Sequence, residues 1–392
     1  MDYRVIASLF MLLFLGVADN QMIAALLPSL VHSMNISVGA AGVLVTVYSL
    51  SAALAAFISG SLSDHYGRRK FLLAGVLVFA LASWLSSQSR SYNELILARA
   101  LTGLAAGTIS TCSIAFAGDW FPYAIRGRAI GLISTAYFAA PILGVPLASQ
   151  IADRYGWRHT FLFFGLLAVV VAGASLGLPS EELDLHRSSE KLRATVHAFR
   201  SFLARRDTVA AVVIACLVSG GLVGFITYIG QWLNSHLDIP TRTIGWVFML
   251  GGLVAVASAP LGGNLSDRLG KRPVSIASNI LLAVSIACIP FLHWGLWLLL
   301  AFAGTSLGAA FRQGPLTALM TEMVPGAQRG IFIALRNIAS QLGIGAVALA
   351  GGFLYQRHGY VAVTTLCAVM TAVVAVLLAT HIVEPQPVGK RA

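Results

Sequence analysis

The sequence predicts an all-α polytopic membrane protein, with twelve transmembrane helices arranged as two pseudo-symmetric six-helix bundles. Three observations carry that expectation. The 392 residues are 57% hydrophobic and only 10% charged, with a mean hydropathy of +0.82, whereas a soluble domain carries about 25% charged residues. Apolar runs recur that are long enough for the ~20-residue helix needed to cross a ~30 Å hydrocarbon core. The stretch GSLSDHYGRRK, Gly60 to Lys70, returns 203 residues later as GNLSDRLGKRP, Gly263 to Pro273. The short alternating segments of a transmembrane barrel are absent from the sequence.

Taken in order, the first apolar span covers 5–30. It is too long for a signal-peptide core and has no small-residue cleavage site before the next span, so it is read as the first helix. Spans follow at 38–60, 70–88, 93–117, 128–151 and 158–178, and a second set at 208–233, 243–262, 274–292, 295–318, 331–353 and 361–383. Between the sets lies the polar segment 179–207. There Leu192, Val196, Phe199 and Leu203 recur at helical spacing, which predicts a basic amphipathic helix along the inner membrane face. The 203-residue offset also relates Pro122 to Pro325, Arg126-Gly127 to Arg329-Gly330, and Arg154 and Gly156 to Arg357 and Gly359. One offset held over that distance means six duplicated helices: a bundle in 1–178, a linker in 179–207, and a second bundle with a short tail in 208–392.

The net charge of +11 invites a nucleic-acid reading, but the placement of the cations argues for a membrane. Eighteen lie in loops and tails on the side of the N-terminus, against five on the other side: Arg90, Arg154, Arg158, Arg242 and Arg357. That bias places both termini in the cytoplasm of a cell whose inner membrane the chain spans. Cys112, Cys216, Cys288 and Cys367 are scattered through spans and form neither metal spacing nor a disulfide framework. No glycine-rich phosphate loop, metal cluster or nucleophile constellation is present in the sequence. The expectation is therefore a gradient-driven membrane protein without enzymatic activity or cofactor, monomeric, with protons and a small molecule as its ligands.

GSLSDHYGRRK resembles the loop 2–3 signature of the major facilitator superfamily, roughly Gly-x-x-x-Asp-x-x-Gly-Arg-Arg/Lys, and the weaker second copy falls where that superfamily repeats it. ARALTGLAAG, Ala98 to Gly107, is similar to its helix 4 motif, with Arg99, Gly103 and Gly107 in place. In helix 5, AYFAAPILGV resembles the motif Gly-x-x-x-Gly-Pro-x-x-Gly-Gly of the twelve-helix drug:proton antiporters. Pro141 and Gly144 match, while Ala136, Ala140 and Val145 replace glycines. The resemblance implies secondary active transport by alternating access, with Gly60, Asp64, Gly67, Arg68 and Asp267 in a charged latch between the halves.

Ionisable groups inside spans are costly, so each is a functional candidate. Asp19 follows Val5 by fourteen residues, placing it roughly 21 Å along the first helix at 1.5 Å per residue. Arg99 enters helix 4 from the opposite end and reaches a depth within one or two turns of Asp19. A protonatable Asp19–Arg99 interaction would couple protons to transport. Asn20, Gln21, Tyr228, Gln231, Arg312 and Gln313 are candidates for the substrate cavity, with Glu322 as an alternative partner of Arg312. The leading functional reading is proton-coupled export of a small amphipathic compound. Symport of a sugar or organic acid, lipid or lysolipid transport, and a membrane sensor or scaffold are the competing ones.

Overall fold

A computed structural model describes residues 2–179, 199–324 and 328–382. Within them the chain is helical and twelve long helices follow one another. The first three are α1, Tyr3–Met34, α2, Val38–Tyr66, and α3, Arg68–Gln88. The bundle continues with α4, Tyr92–Trp120, α5, Tyr123–Tyr155, and α6, Trp157–Ser175. The second bundle holds α7, Arg206–Leu237, α8, Thr241–Leu269, α9, Lys271–Phe291, and α10, Leu296–Glu322. A continuous run, Arg329–His381, breaks at Gly359, whose φ is 73°, into α11 at 329–358 and α12 at 360–381. Several helices begin or end a turn outside the apolar spans read from sequence. Residues 199–203 are helical, and the remainder of the amphipathic helix expected in the linker lies outside the described residues.

Polar punctuation explains the boundaries. Asp2 accepts from the amides of Arg4 and Val5 to start α1, and Ser91 with Glu94 forms a capping box on α4. The connections α2–α3, α5–α6, α8–α9 and α11–α12 each pass through one glycine, at φ 93°, 87°, 96° and 73° for Gly67, Gly156, Gly270 and Gly359. Only glycine enters that backbone region without strain. These glycines form two pairs at the 203-residue offset, so the duplication extends to backbone angles.

The end of the molecule holding Tyr3 and His381 is called here the near end, and the opposite one the far end. The halves close on each other toward the far end. A Cβ on Gly230 of α7 would lie 2.1 Å from the Ala24 carbonyl of α1. Between α2 and α11, Gly39 packs on Gly352, and the Thr46 hydroxyl donates to the Gly345 carbonyl at 2.9 Å. Between α5 and α8, Gly252 meets Ile142 and Pro141, and Gly245 meets Ser149 and Pro146. Helix α5 fits this surface because Pro141, lacking an N–H, widens it into one π turn at Ala140–Gly144. Gly144 then packs where a Cβ would lie 2.7 Å from that of Ala18 in α1. Toward the near end, Leu54 and Ile58 on α2 and Ile333 and Leu342 on α11 are exposed.

Tyr228, on α7, plugs this far-end seam rather than presenting its hydroxyl to a cavity. It is fully buried, and its hydroxyl donates to the Ala348 carbonyl of α11. A Cβ on Gly42 of α2 would sit 2.1 Å from that hydroxyl oxygen. Substituting Gly42→Val should therefore force α2 from α11, since overpacking of this kind costs about 1–3 kcal/mol. The measurement is disulfide cross-linking of Gly39→Cys with Gly352→Cys in a chain whose four native cysteines are serine. The cross-link should form readily with Gly42 and be mostly lost with valine.

Candidate functional site: a buried ion pair between α1 and α4

Depth along the helices brings Asp19 and Arg99 together. Arg99 Nη1 donates to Asp19 Oδ2 at 2.6 Å, and both side chains are 0% exposed. The ring of Tyr48 from α2 lies 4.7 Å from the guanidinium, and Phe161 from α6 lies 6.0 Å away. Tyr48 is held by donating from its hydroxyl to the Gly16 carbonyl at 3.0 Å. Sequence explains the approach of α2. A Cβ on Gly103 or Gly107 of α4 would fall 2.3 Å from the carbonyls of Tyr48 and Ala52. Those glycines let the backbones of α2 and α4 touch, which carries the Tyr48 ring over Arg99.

The pair is incompletely satisfied. Asp19 Oδ1 and Arg99 Nε and Nη2 are buried without a hydrogen-bond partner. One direct bond neutralises the charge, but three polar atoms remain without hydrogen bonds in a low-dielectric interior. Asp19 is sealed between helices. Its neighbours Asn20 and Gln21 are half-buried.

The cavity candidates of the second half take different places. Arg312 is 1% exposed and does not reach Glu322. It donates to Asn279 Oδ1 at 2.9 Å and to the Val218 carbonyl at 3.1 Å, filling the space between α7, α9 and α10. Gln231 is buried, with its Oε1 unpartnered. Gln313 is exposed. Trp232 stacks on Tyr360 at 5.3 Å within an aromatic cluster that includes Tyr355.

At the near end the repeated signature ties helices together inside each half. Arg68 meets Asp64 at 2.8 Å and Asp119 of α4 at 2.8 Å. Lys271 meets Glu322 of α10 at 2.5 Å. Arg69 donates to the Leu176 carbonyl at 2.6 Å, just past α6, and Arg272 donates to the carbonyl of Ala379 in α12. The Arg68–Asp119 and Arg69–Leu176 contacts thus have counterparts 203 residues on, whereas Arg68–Asp64 has none among the described residues. These contacts each lie within one bundle. Asp267 is exposed and makes no ion pair among the described residues. Gly60 lies near α4 only loosely, because a Cβ there would meet Thr111 at 3.8 Å. Asp119 and Glu322 were readable as a pair from the offset, and Asn279 as a lone amide in an apolar run. Nothing in the sequence singles out Tyr48.

Comparison with known proteins identifies the family. A family model described as Major Facilitator Superfamily matches residues 9–240 and again 212–392. The chain belongs to the Major Facilitator Superfamily. It is 27% identical over 375 residues to the uncharacterized MFS-type transporter YwfA of Bacillus subtilis, covering 94% of this chain and 90% of that one. It is 25% identical to the multidrug resistance protein MdtG of Proteus mirabilis, covering 82% of this chain and 80% of the other. A crystal structure of a D-xylose–proton symporter superposes with a TM-score of 0.77 at 19% identity, over 97% of this chain and 98% of that one. The superfamily member described here is a membrane-spanning, all-helical secondary transporter.

Two outcomes test the contacts. Arg99→Ala should destabilise the protein by about 3–5 kcal/mol, the usual cost of stranding one partner of a buried pair. The double variant Asp19→Leu with Arg99→Leu should lose less than either Asp19→Leu or Arg99→Leu alone, read by thermal unfolding in detergent. At the near end, Lys271→Glu should cost about 0.2–1 kcal/mol, as for a partly exposed pair. Adding Glu322→Lys should restore most of it in the same assay.

Proposed function

We propose that this transporter is a proton-coupled antiporter that exports a small amphipathic compound by alternating access, with Asp19 and Arg99 as the coupling element. The near end, where most cations lie, is assigned to the cytoplasm, and the transporter works as a monomer. The observation that carries the reading is the 2.6 Å Asp19–Arg99 contact, buried on both sides and centred in the first bundle.

The chemistry follows from charge. With Asp19 ionised, the pair is neutral as a unit and holds α1 against α4. A proton added at the unpartnered Oδ1 removes the carboxylate charge and leaves Arg99 buried without a counter-ion. The protonated state therefore disfavours this packing and favours any arrangement that gives Arg99 water or an anionic group. Because the pair is sealed here, with the halves closed at the far end, exchange with bulk water needs a different arrangement of α1, α2 and α4. A site sealed in one state and open in another is what coupling requires. Export is supported by the π turn at Pro141, which shapes α5 to both α1 and α8, and by the likeness to a multidrug resistance protein.

The test uses the purified protein in liposomes loaded with a pH-sensitive dye, with lipophilic cations, sugars, organic acids and lysolipids added singly. Under antiport, a substrate moving one way drives protons the other way, and Asp19→Asn should reduce that flux to background while substrate exchange persists. Protons moving with the substrate would replace export by symport. Undiminished proton flux in Asp19→Asn would sink the role given to Asp19.

A further inference from the structure

The outer surface of the first bundle carries a groove between α3 and α6, with a volume of 360 Å³. Its floor is Ala80 and Gly165, and its walls include Leu81, Trp84, Leu162 and Leu166. The wall side chains Leu81, Trp84 and Leu166 are half exposed, as lipid-facing residues are. An apolar groove alone has no preference among lipids, because hydrocarbon tails are as apolar as leucine.

What distinguishes this one is its far end. Arg158 precedes Leu162 by four residues on α6, and Gln88 follows Trp84 by four on α3, so both sit on the stripes that line the groove. Arg158 Nη2 donates to the Ser89 carbonyl at 2.8 Å, and its guanidinium lies 4.3 Å from the Trp157 ring. Those contacts fix the guanidinium at the mouth and engage one of its N–H groups out of five. Arg90 is exposed beside it. The nearby carboxylate of Glu94 is engaged by the amides of Arg90 and Ser91, at 2.7 Å and 3.4 Å. Two of the five cations on the sparsely charged far side are therefore gathered at one groove.

The duplication supplies an internal comparison. Residues 203 positions on, along α9 and α12, have Ala287 for Trp84, Thr365 for Leu162 and Ala368 for Gly165. Val361 stands for Arg158 and His293 for Arg90. The fold demands none of these features, since the second bundle is built without them.

We propose that the α3–α6 face of this transporter binds a membrane phospholipid with an anionic headgroup. One acyl chain lies in the groove, and the phosphate is held by Arg158 with Arg90 alongside. Guanidinium forks suit phosphate oxygens, and tryptophan favours the headgroup depth at which Trp84 would then lie. Selectivity comes from the arginines, and the groove sets where the chain rests. This site is independent of substrate, coupling ion and direction of transport.

Brominated acyl chains quench nearby tryptophan, and the contribution of Trp84 is the difference between the wild type and Trp84→Phe. The protein would be reconstituted in phosphatidylcholine bilayers containing equal small fractions of brominated phosphatidylglycerol or brominated phosphatidylcholine. The Trp84 signal should be quenched several-fold more by the anionic lipid. That preference should vanish in Arg158→Gln, which keeps a polar side chain without the charge, and return at least partly in Arg158→Lys. A tryptophan placed at the repeat position, Ala287→Trp, should show no preference. Equal quenching of Trp84 by the two lipids, a preference surviving Arg158→Gln, or the same preference at Ala287→Trp would each overturn the proposal.

Discussion

A carboxylate and a guanidinium removed from water and pressed against each other set the terms for the first bundle. Desolvating two charges costs several kcal/mol per ion, and only close contact in good geometry offsets it. Asp19 and Arg99 meet that condition through their surroundings. Gly103 and Gly107 admit the α2 backbone, α2 brings Tyr48, and Tyr48 anchors to Gly16, one turn before Asp19. Three helices are thus positioned by one electrostatic requirement. Three of their polar atoms are left without hydrogen bonds, which limits how favourable the arrangement is.

The second bundle repeats the architecture and omits the pair. The positions offset by 203 residues from Asp19 and Arg99 are Leu222 and Phe302. Its own buried cation, Arg312, stands where the first bundle has Ile109, and Asn279 stands where it has Val76. Duplication has kept the ends of the helices, with their turn glycines and their Arg68–Asp119 and Lys271–Glu322 contacts, while the middles diverged. That division follows from physics. Helix ends must satisfy backbone groups and reverse the chain in either bundle, whereas the interior is free to specialise once packing is met.

The same division decides what could be read from sequence. Span number and duplication were legible, because a bilayer demands apolar runs and a duplicated gene keeps its spacing. The Asp19–Arg99 contact was legible as depth, from the constant rise of a helix. The direction in which a side chain points around its helix was not. Tyr228 was read as a substrate ligand and closes a seam, since its partner Gly42 lies on a helix that sequence does not place next to it. Arg312 was read as facing a cavity because a cation in a span suggests water. An amide and a carbonyl accept its hydrogen bonds instead, and neither carries a charge that marks it. Arg68 and Lys271 each reach an acidic residue of a helix that the signature itself does not point to, Asp119 and Glu322.

Four of the chain's reversals are a single residue long: Gly67, Gly156, Gly270 and Gly359. A hinge that short has almost no slack, so the helices on either side of it cannot slide past one another or splay without breaking the turn. The protein is in this respect an assembly of stiff hairpins, two in each bundle. Any large motion has to be borne by the longer connections and by bending within helices, of which the widened turn at Pro141 is the visible instance. For an engineer, those four sites are where the chain tolerates neither an inserted tag nor a cut.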